Sequence, residues 1–279
     1  MSDKRLFGLQ MAARRAAGFV GRDSWLVRRL RPTYENVLDW ASRRQGIPWA
    51  INGVTFRADP HYRHMLGQVY DPGTADFLRA RVRPGDLCFD VGANVGVYVL
   101  QFANWAAPNG RVVAFEPNPA TQVVLKRHIA MNDLTDRVDV VGCAVGSREG
   151  VASFYAAGED GRSRLGAPSE QIADRVQELK VPVLTLDQYC SDKKLEPDWL
   201  LMDIEGFEFQ ALLGAHDLIR RRGSKLGIVV EMHPDAWASA GTTPERAVEI
   251  LDEFRLRPIP LVGQQDPLAE YGLVYLAPR

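Results

Sequence analysis

The chain has 279 residues, of which 46% are hydrophobic and 25% are charged, and its formal net charge is −1. This composition is typical of a globular protein and argues against a disordered chain or a generally nucleic-acid-binding surface. No apolar run approaches the ~18 residues that a membrane-spanning helix requires, so stable membrane insertion is not expected. The dispersed Cys88, Cys143 and Cys190, together with the lack of a signal-peptide core, favour a reducing, cytoplasmic location.

Positive charge is concentrated at the N-terminus. Residues 1–46 contain ten Lys or Arg and four Asp or Glu, which gives this segment +6 and the remainder −7. Two helices are predicted there, over 3–20 and 23–45. They could form a homodimer, cap a site or touch an acidic membrane surface, and a solvated arginine face is the simplest interpretation. Membrane contact is disfavoured because residues 3–20 lack a large aromatic face.

The pattern along the chain predicts an α/β protein. The Asn52-Gly53 turn predicts a hairpin over 49–56, which completes a helical N-terminal extension over 1–69. From 70 to 279, helices and strands alternate as in a doubly wound, mostly parallel sheet of seven strands. The predicted helices are 73–82, 95–106, 119–131, 207–221 and 244–255. The predicted sheet strands are 86–91, 111–116, 138–143, 198–203, 226–231 and a final antiparallel pair, 258–262 and 271–276. A short extra strand at 150–155 and a loop over 156–180 are also predicted.

A glycine turn follows the first strand of this sheet. The strand ends in Asp90, and Gly92-Ala93-Asn94-Val95-Gly96 leads into the next helix. The second strand ends in Glu116, which lies 20 residues beyond Gly96. A turn of this kind and an acid at this spacing lie together at the carboxyl edge of a parallel sheet, where they bind an adenosine-containing cofactor.

The details of the turn favour S-adenosylmethionine (SAM) over NAD(P). Asn94 stands where the dinucleotide fingerprint has its second glycine, and Asp90 would repel a pyrophosphate. SAM has an ammonium, a sulfonium and a ribose diol but no phosphate, which suits Asp90 and Glu116. The residues predicted to bind the cofactor are Asp90, Gly92, Ala93, Asn94, Gly96, Glu116, Pro117 and Ala144.

The fourth and fifth strands also end in polar residues, which are predicted to face the cofactor. O-methylation needs a base that takes the hydroxyl proton or a metal that acidifies the hydroxyl. His233, with an ordinary pKa near ~6.5, and Asp203 are the candidate bases. Glu208 is interpreted as a first-turn acid that interacts with the helix dipole. Oxygen ligands would suit Mg²⁺, but the spacing shows no metal motif and no metal ligand is assigned. The predicted catalytic residues are Asp203, Glu205, Glu231 and His233.

These motifs resemble those of the FkbM family of SAM-dependent methyltransferases. The matching pieces are 89–96, 114–119, Asn132, 181–187, 202–208 and 230–233. The resemblance implies a Rossmann-like class I methyltransferase fold and O-methylation of sugars, polyketides and other secondary metabolites. It also implies that Asp90, Gly92, Asn94 and Glu116 hold SAM, while Asp203, Glu205 and His233 line the acceptor side. Leu201 departs from the family, which usually has a lysine there.

The sequence therefore predicts a methyltransferase domain over 70–279 that methylates a hydroxyl group of a small molecule, with a sugar or a polyketide-type secondary metabolite favoured. An RNA or protein N-methyltransferase is one alternative, and the near-neutral charge counts against it. An NAD(P)-dependent oxidoreductase and a protein that binds SAM without turnover are the others. No nucleic-acid partner is expected, and a homodimer through the N-terminal helices stays open.

Overall fold

The computed structural model describes residues 24–156, 163–165 and 177–279, together with four isolated positions before residue 24. The helix predicted over 3–20 lies outside the continuously described residues, as does most of the loop predicted over 156–180. In the part of the chain that the structure describes, no helix combines the length and apolar character needed to cross a bilayer.

Helices begin where the sequence offers a side-chain cap. Ser24, Asn118, Thr185 and Thr243 each accept a hydrogen bond from a first-turn amide, which satisfies a donor that has no partner within the helix. The α-helices are α1 (Trp25–Ala41), α2 (Pro72–Arg79), α3 (Val97–Trp105), α4 (Pro119–Met131), α5 (Leu186–Lys193), α6 (Glu208–Leu213), α7 (His216–Arg222) and α8 (Pro244–Glu253). Two 3₁₀ helices cover Gly223–Lys225 and Pro234–Ala240.

The strands of the described residues form three sheets. They are β1 (Ile47–Ile51), β2 (Val54–Ala58), β3 (Leu87–Val91), β4 (Arg111–Phe115), β5 (Val138–Val141), β6 (Ala144–Val145), β7 (Gly150–Ala156), β8 (Arg164–Leu165), β9 (Gln177–Leu184), β10 (Trp199–Met202), β11 (Gly227–Met232), β12 (Leu256–Pro260) and β13 (Gly272–Pro278). Seven of them make the main sheet in the order β12-β13-β11-β10-β3-β4-β5. Within it β13 is antiparallel to both neighbours, and the pairs from β11 to β5 are parallel. The predicted Rossmann-like class I methyltransferase fold is confirmed.

Alternation along the central strands divides the core into two layers. Phe89 on β3 and Phe115 on β4 point into a layer that also contains side chains of α5 to α8. Cys88 and Val112, which pair with each other and have the opposite orientation in the pleat, point into the layer formed with α2 and α3. Because both faces are covered, these strands are continuously apolar until their carboxyl ends, where the polar residues of the site follow.

The predicted hairpin is present and is two residue pairs longer at its open end than the 49–56 prediction. Asn52 and Gly53 have φ values of 46° and 84°, as a type I′ turn requires. The hairpin packs on the main domain through a cluster that includes Phe56, Leu100 and Val124. The hairpin, which lies before the boundary predicted at residue 69, therefore shares a hydrophobic cluster with α3 and α4 of the domain predicted after it.

A second, small sheet was not predicted. Its order is β6-β9-β7-β8, and β9 pairs antiparallel with the whole length of β7, from Gly150↔Val183 to Ala156↔Gln177. The prediction of a loop through residue 180 is wrong from Gln177 onward, because β9 begins there. The first half of this strand, Gln-Glu-Leu-Lys, is largely exposed, so its sequence lacks the apolar alternation by which strands are recognised.

The single helix predicted over 207–221 is two helices, α6 and α7, with a break at Gly214. A Cβ at Gly214 would lie 2.0 Å from the carbonyl oxygen of Gly146, and the Gly214 carbonyl accepts a hydrogen bond of 2.9 Å from the amide of Asp187. The Asp187 carboxylate then accepts hydrogen bonds from the amides of Asp217 and Leu218, at 3.0 and 2.7 Å. A carboxylate on α5 thus caps α7, whose own N-cap residue makes no side-chain hydrogen bond.

Replacing this remote cap should destabilise the fold. We expect Asp187→Ala to lower the free energy of unfolding by about 1–2 kcal/mol, because two first-turn amides of α7 lose their acceptor. Denaturant titration followed by circular dichroism measures this change. Asp192→Ala, on the same helix but bonded only to the side chain of Gln188, is the control and should cost under about 0.5 kcal/mol. Equal losses in the two variants would contradict the capping role.

Candidate active site

The glycine turn after β3 and the end of β10 are in direct contact. The amides of Gly92 and Ala93 both donate to the carbonyl of Phe115, each at 3.0 Å. Gly92 has a φ of +88°, and a Cβ there would lie 1.9 Å from the carbonyl oxygen of Asp203. Gly96, with a φ of +98°, is the N-cap of α3 and lies so close to Leu125 that a Cβ would be 2.7 Å from it. Only glycine permits these approaches.

Glu116 is fixed across the opening of this turn. Its carboxylate accepts hydrogen bonds of 2.8 Å from the amide of Asn94 and of 2.8 Å from the amide of Asn118. Burial raises the pKa of Glu116 to about 7, while these two amide hydrogen bonds act in the opposite direction. The acid is thus pre-oriented at the carboxyl end of β4, in the position predicted for an acceptor of ribose hydroxyl protons.

A cleft runs between the turn, Glu116 and the end of β10. Five of the eight residues predicted to bind the cofactor line it: Gly92, Asn94, Glu116, Pro117 and Ala144. Asp203 and Glu205 line the same cleft. Ala93 and Gly96 support the backbone without lining it. Phe154, Ser163 and Leu165, which belong to or adjoin the second sheet, also line it. None of the three is among the predicted site residues, although Ser163 and Leu165 fall in the 156–180 segment, which the sequence indicates as a wall of the acceptor pocket.

Asp90 lies behind the cleft. It shares a face of β3 with Cys88, toward α3, and it is 2% exposed. Among the described residues its Oδ2 atom has no hydrogen-bond partner. Burial, followed by the charge of Glu116, raises the pKa of Asp90 to about 7. A buried oxygen without a donor is unfavourable, so this atom would accept the ammonium donor that the sequence predicts for it.

The burial of Asp90 should make stability depend on pH. Because its pKa is higher in the folded state, the folded protein holds more protons than the unfolded chain between pH ~4 and ~7, and stability falls as pH rises through this range. Without cofactor, the free energy of unfolding of the wild type should fall by about 2–3 kcal/mol more between pH 5 and pH 8 than that of Asp90→Asn. Urea titrations at several pH values measure this difference. The exposed Asp136→Asn should follow the wild type, and parallel curves for Asp90→Asn and wild type would contradict the assignment.

The four predicted catalytic residues lie together at the ends of β10 and β11. The Nε2 atom of His233 is 3.8 Å from Oδ1 of Asp203 and 3.7 Å from Oε2 of Glu205. Glu231 accepts a hydrogen bond from the hydroxyl of Tyr271, whose ring lies 5.2 Å from that of His233. Burial and then the charge of Glu231 raise the pKa of Asp203 well above its ordinary range. Tyr271 gave no signal in the sequence, since the residues before β13 carry no motif.

Glu208 organises this cluster, a role that goes beyond the interaction with the helix dipole predicted from its position in the sequence. It does lie in the first turn of α6, but its side chain is fully buried. It accepts hydrogen bonds from Nδ1 of His233 at 2.6 Å, from the amide of Gly206 at 2.8 Å and from Nε1 of Trp237 at 3.0 Å. Three segments therefore meet at one carboxylate. Its place in the Asp-Ile-Glu-Gly-Phe-Glu motif is the only sequence signal that could have found it.

The charge of Glu208 decides the protonation of His233. Burial favours neutral imidazole, but the hydrogen bond and charge of Glu208, with Asp203 and Glu205, outweigh it and raise the pKa of His233 to about 10. At neutral pH the ring is therefore a cation that carries a proton on both nitrogens and donates from Nδ1 to Glu208. This protonation state does not fit the expectation that His233 serves as a general base.

The cluster also meets a distance requirement for a cation. One ligand atom each from Asp203, Glu231 and His233 lie within 4.8 Å of one another. Metal ligation needs a neutral imidazole, whereas Glu208 stabilises the protonated ring, and Tyr271 already donates to Glu231.

Removing the charge of Glu208 should release the proton of His233. In Glu208→Gln we expect the pKa of His233 to fall by at least about one unit, because burial then opposes the imidazolium without its counter-charge. An NMR titration of the imidazole signals measures this, with the other four of the five histidines as internal references. The exposed Glu245→Gln is the matched control. An unchanged pKa would show that Glu208 does not determine the charge of the ring.

Comparison with known proteins agrees with this geometry. Residues 90–257, more than half of the chain, match the sequence profile of the methyltransferase FkbM domain. The 31-O-demethyl-FK506 methyltransferase FkbM of Streptomyces tacrolimicus is 29% identical over 214 residues, which cover 67% of this chain and 77% of that protein. Methyltransferase sdnD of Sordaria araneosa is 28% identical over 188 residues, which cover 56% of this chain and 68% of that protein.

Matches to solved structures have lower identity. The methyltransferase FkbM from Methylobacillus flagellatus KT is 15% identical with a TM-score of 0.46, and the match covers 78% of this chain and 58% of that chain. The alternative of an NAD(P)-dependent oxidoreductase is not supported, because the matched domain is a methyltransferase. The chain belongs to the FkbM methyltransferase family, and it is a methyltransferase with S-adenosylmethionine as its cofactor.

Proposed function

We propose that this methyltransferase methylates a hydroxyl group of a small molecule, with a sugar or a polyketide-type secondary metabolite as the acceptor class. The observation that carries this proposal is that two carboxyl side chains, Asp203 and Glu205, line the same cleft as the cofactor-binding turn. A hydroxyl must lose its proton as it gains a methyl group, and a carboxylate beside the transfer site can take that proton. The name of the relative from Streptomyces tacrolimicus, 31-O-demethyl-FK506 methyltransferase, agrees with an oxygen acceptor.

The cofactor half of the cleft is built to hold SAM. Glu116 would accept the ribose hydroxyls, while Gly92 and Asn94 bring the backbone of the turn close to the ligand. When bound, SAM supplies a methyl group already activated by a sulfonium. The remaining task of this chain is therefore to position the acceptor oxygen and to remove its proton.

Glu205 is the residue that we assign as the proton acceptor. It adopts the left-handed conformation, with a φ of 51°, which is uncommon for a residue with a long side chain. Gly206 follows with a φ of +103° and lies against the 3₁₀ helix, where a Cβ would be 2.6 Å from Cβ of Ala236. Strained conformations that the surroundings enforce are concentrated at functional sites. Here the enforced turn places Glu205 in the cleft.

The neighbours of Glu205 are suited to other roles. His233 is protonated at neutral pH, so it balances the carboxylate charges and orients them through Nε2. The raised pKa of Asp203 favours its neutral form, which can donate a hydrogen bond and orient the acceptor oxygen. Glu231, held by Tyr271, stands behind Asp203 and sustains that raised pKa.

The substitution Glu205→Gln tests this assignment. We expect kcat to fall about 10²–10⁴-fold, since the shape is kept and the proton acceptor is lost. The dissociation constant of S-adenosylhomocysteine, measured by calorimetry, should stay within about threefold of the wild-type value, because no cofactor contact changes. Glu116→Gln should show the converse, with cofactor binding weakened at least about tenfold. Glu196→Gln, on the surface, is the matched control for the loss of one acidic charge.

Turnover is detected as formation of S-adenosylhomocysteine with panels of hydroxylated sugars, macrolactones, amines and RNA. The site of methylation in each product is then assigned by NMR. Methylation at oxygen is the expected outcome, and transfer only to nitrogen or to RNA would overturn the proposal. Full activity in Glu205→Gln would overturn the assigned base. Activity that EDTA abolishes and Mg²⁺ restores would assign the Asp203–Glu231–His233 group to a cation instead.

A further inference from the structure

Helix α1 has an apolar face that no described residue covers. One side of the helix packs against the hairpin, through Leu38, Ala41 and Ile47. On another side, Trp25 is 72% exposed and Trp40 is 81% exposed. Large exposed hydrophobic side chains are concentrated on this helix: Trp25, Leu26, Leu30, Val37 and Trp40. These five residues are called the α1 face below.

The five side chains of the α1 face share one side of the helix with Arg29, Thr33 and Asn36. At about 100° per residue, its five side chains fall within an arc of about 140°, and between the two tryptophans the helix is ~22 Å long. The arc is distinct from the one that holds Leu38 and Glu35 against the rest of the protein. The helix therefore has two apolar sides. One packs against the core, and the other faces outward.

Uncompensated positive charge surrounds this face. The guanidinium groups of Arg28, Arg29, Arg43 and Arg44 are exposed and form no ion pair with any residue that the structure describes. The acids of the helix are already engaged. Glu35 pairs with Arg31 and Arg63, at 2.9 and 3.2 Å, and Asp39 pairs with Arg127. On the helical wheel Arg29 falls between the two tryptophans, so its charge lies within the apolar arc.

We propose that the α1 face binds an anionic lipid surface, with the helix lying in the plane of the interface. Tryptophans prefer the boundary between headgroups and acyl chains, leucines insert below it, and arginines extend their charge to anionic headgroups. The earlier expectation against membrane contact concerned residues 3–20, whereas the aromatic face lies on α1. Pairing of the α1 face with a second copy is less favourable, because it would bring two sets of unpaired arginines together.

Binding to vesicles tests the proposal with the full chain. The protein is mixed with vesicles of phosphatidylcholine alone, or of phosphatidylcholine with phosphatidylglycerol, and the bound fraction is measured by flotation. We expect binding only to the vesicles with phosphatidylglycerol, a blue shift of the tryptophan fluorescence on binding, and release by added salt. Absence of binding to the anionic vesicles at low salt would overturn the proposal.

Two variants separate the apolar and the ionic contributions. Trp25→Ser with Trp40→Ser, and separately Arg29→Gln with Arg43→Gln and Arg44→Gln, should each reduce the partition coefficient at least about tenfold. The matched control is Val123→Ser with Arg220→Gln, which removes an exposed apolar side chain and an exposed arginine elsewhere and should bind like the wild type.

Thermal melting followed by circular dichroism shows that each variant is folded before its binding is compared. Retention of full binding by the tryptophan variant would overturn the proposal. A concentration-dependent dimer in sedimentation velocity that the tryptophan variant abolishes, without vesicle binding by the wild type, would assign the α1 face to a second copy and would also overturn it.

Discussion

The close approach of Gly92 to Asp203 is the constraint on which the site depends. The carbonyl oxygen of Asp203 occupies the space that any other side chain at position 92 would need. Parallel pairing of β3 with β10 brings the two strand ends side by side, and the missing Cβ lets the turn and the strand end touch. The cofactor turn and the acceptor carboxyls consequently share one cleft, so methyl donor and acceptor would meet without any movement of the sheet.

A second organising principle is the balance of buried charge around His233. Three carboxyl groups, those of Asp203, Glu205 and Glu208, lie within 3.8 Å of one imidazole, and the proton on the ring offsets their charge. Glu208, fully buried, fixes that proton and at the same time holds the loop amide of Gly206 and the indole of Trp237. The carboxylate of Glu208 therefore fixes both the shape of this cluster and the protonation of His233, although it does not line the cleft.

The sequence predicted those parts of the structure that depend on local sequence patterns. Apolar runs ending in Asp90 and Glu116 predicted β3 and β4, and the glycine spacing predicted the turn between them. The strand β9 could not be predicted, because its exposed half owes its conformation to pairing with β7. Neither the burial of Glu208 nor its effect on His233 can be read from spacing, since both arise from packing between α6 and the end of β11. For that reason the proposed proton acceptor is Glu205, whereas the sequence indicated His233 or Asp203.

Asn132, one of the residues that carry the family resemblance, illustrates a different use of a side-chain amide. Its carboxamide accepts from the amide of Arg57 and donates to the carbonyl of the same residue, both at 2.8 Å. Those are the two bonds that a neighbouring antiparallel strand would form. The amide therefore stands in for a missing strand at one residue of β2 and occupies groups through which an exposed edge could recruit another chain. A single side chain at the C-cap of α4 thus occupies the outward-facing backbone groups of this hairpin at Arg57.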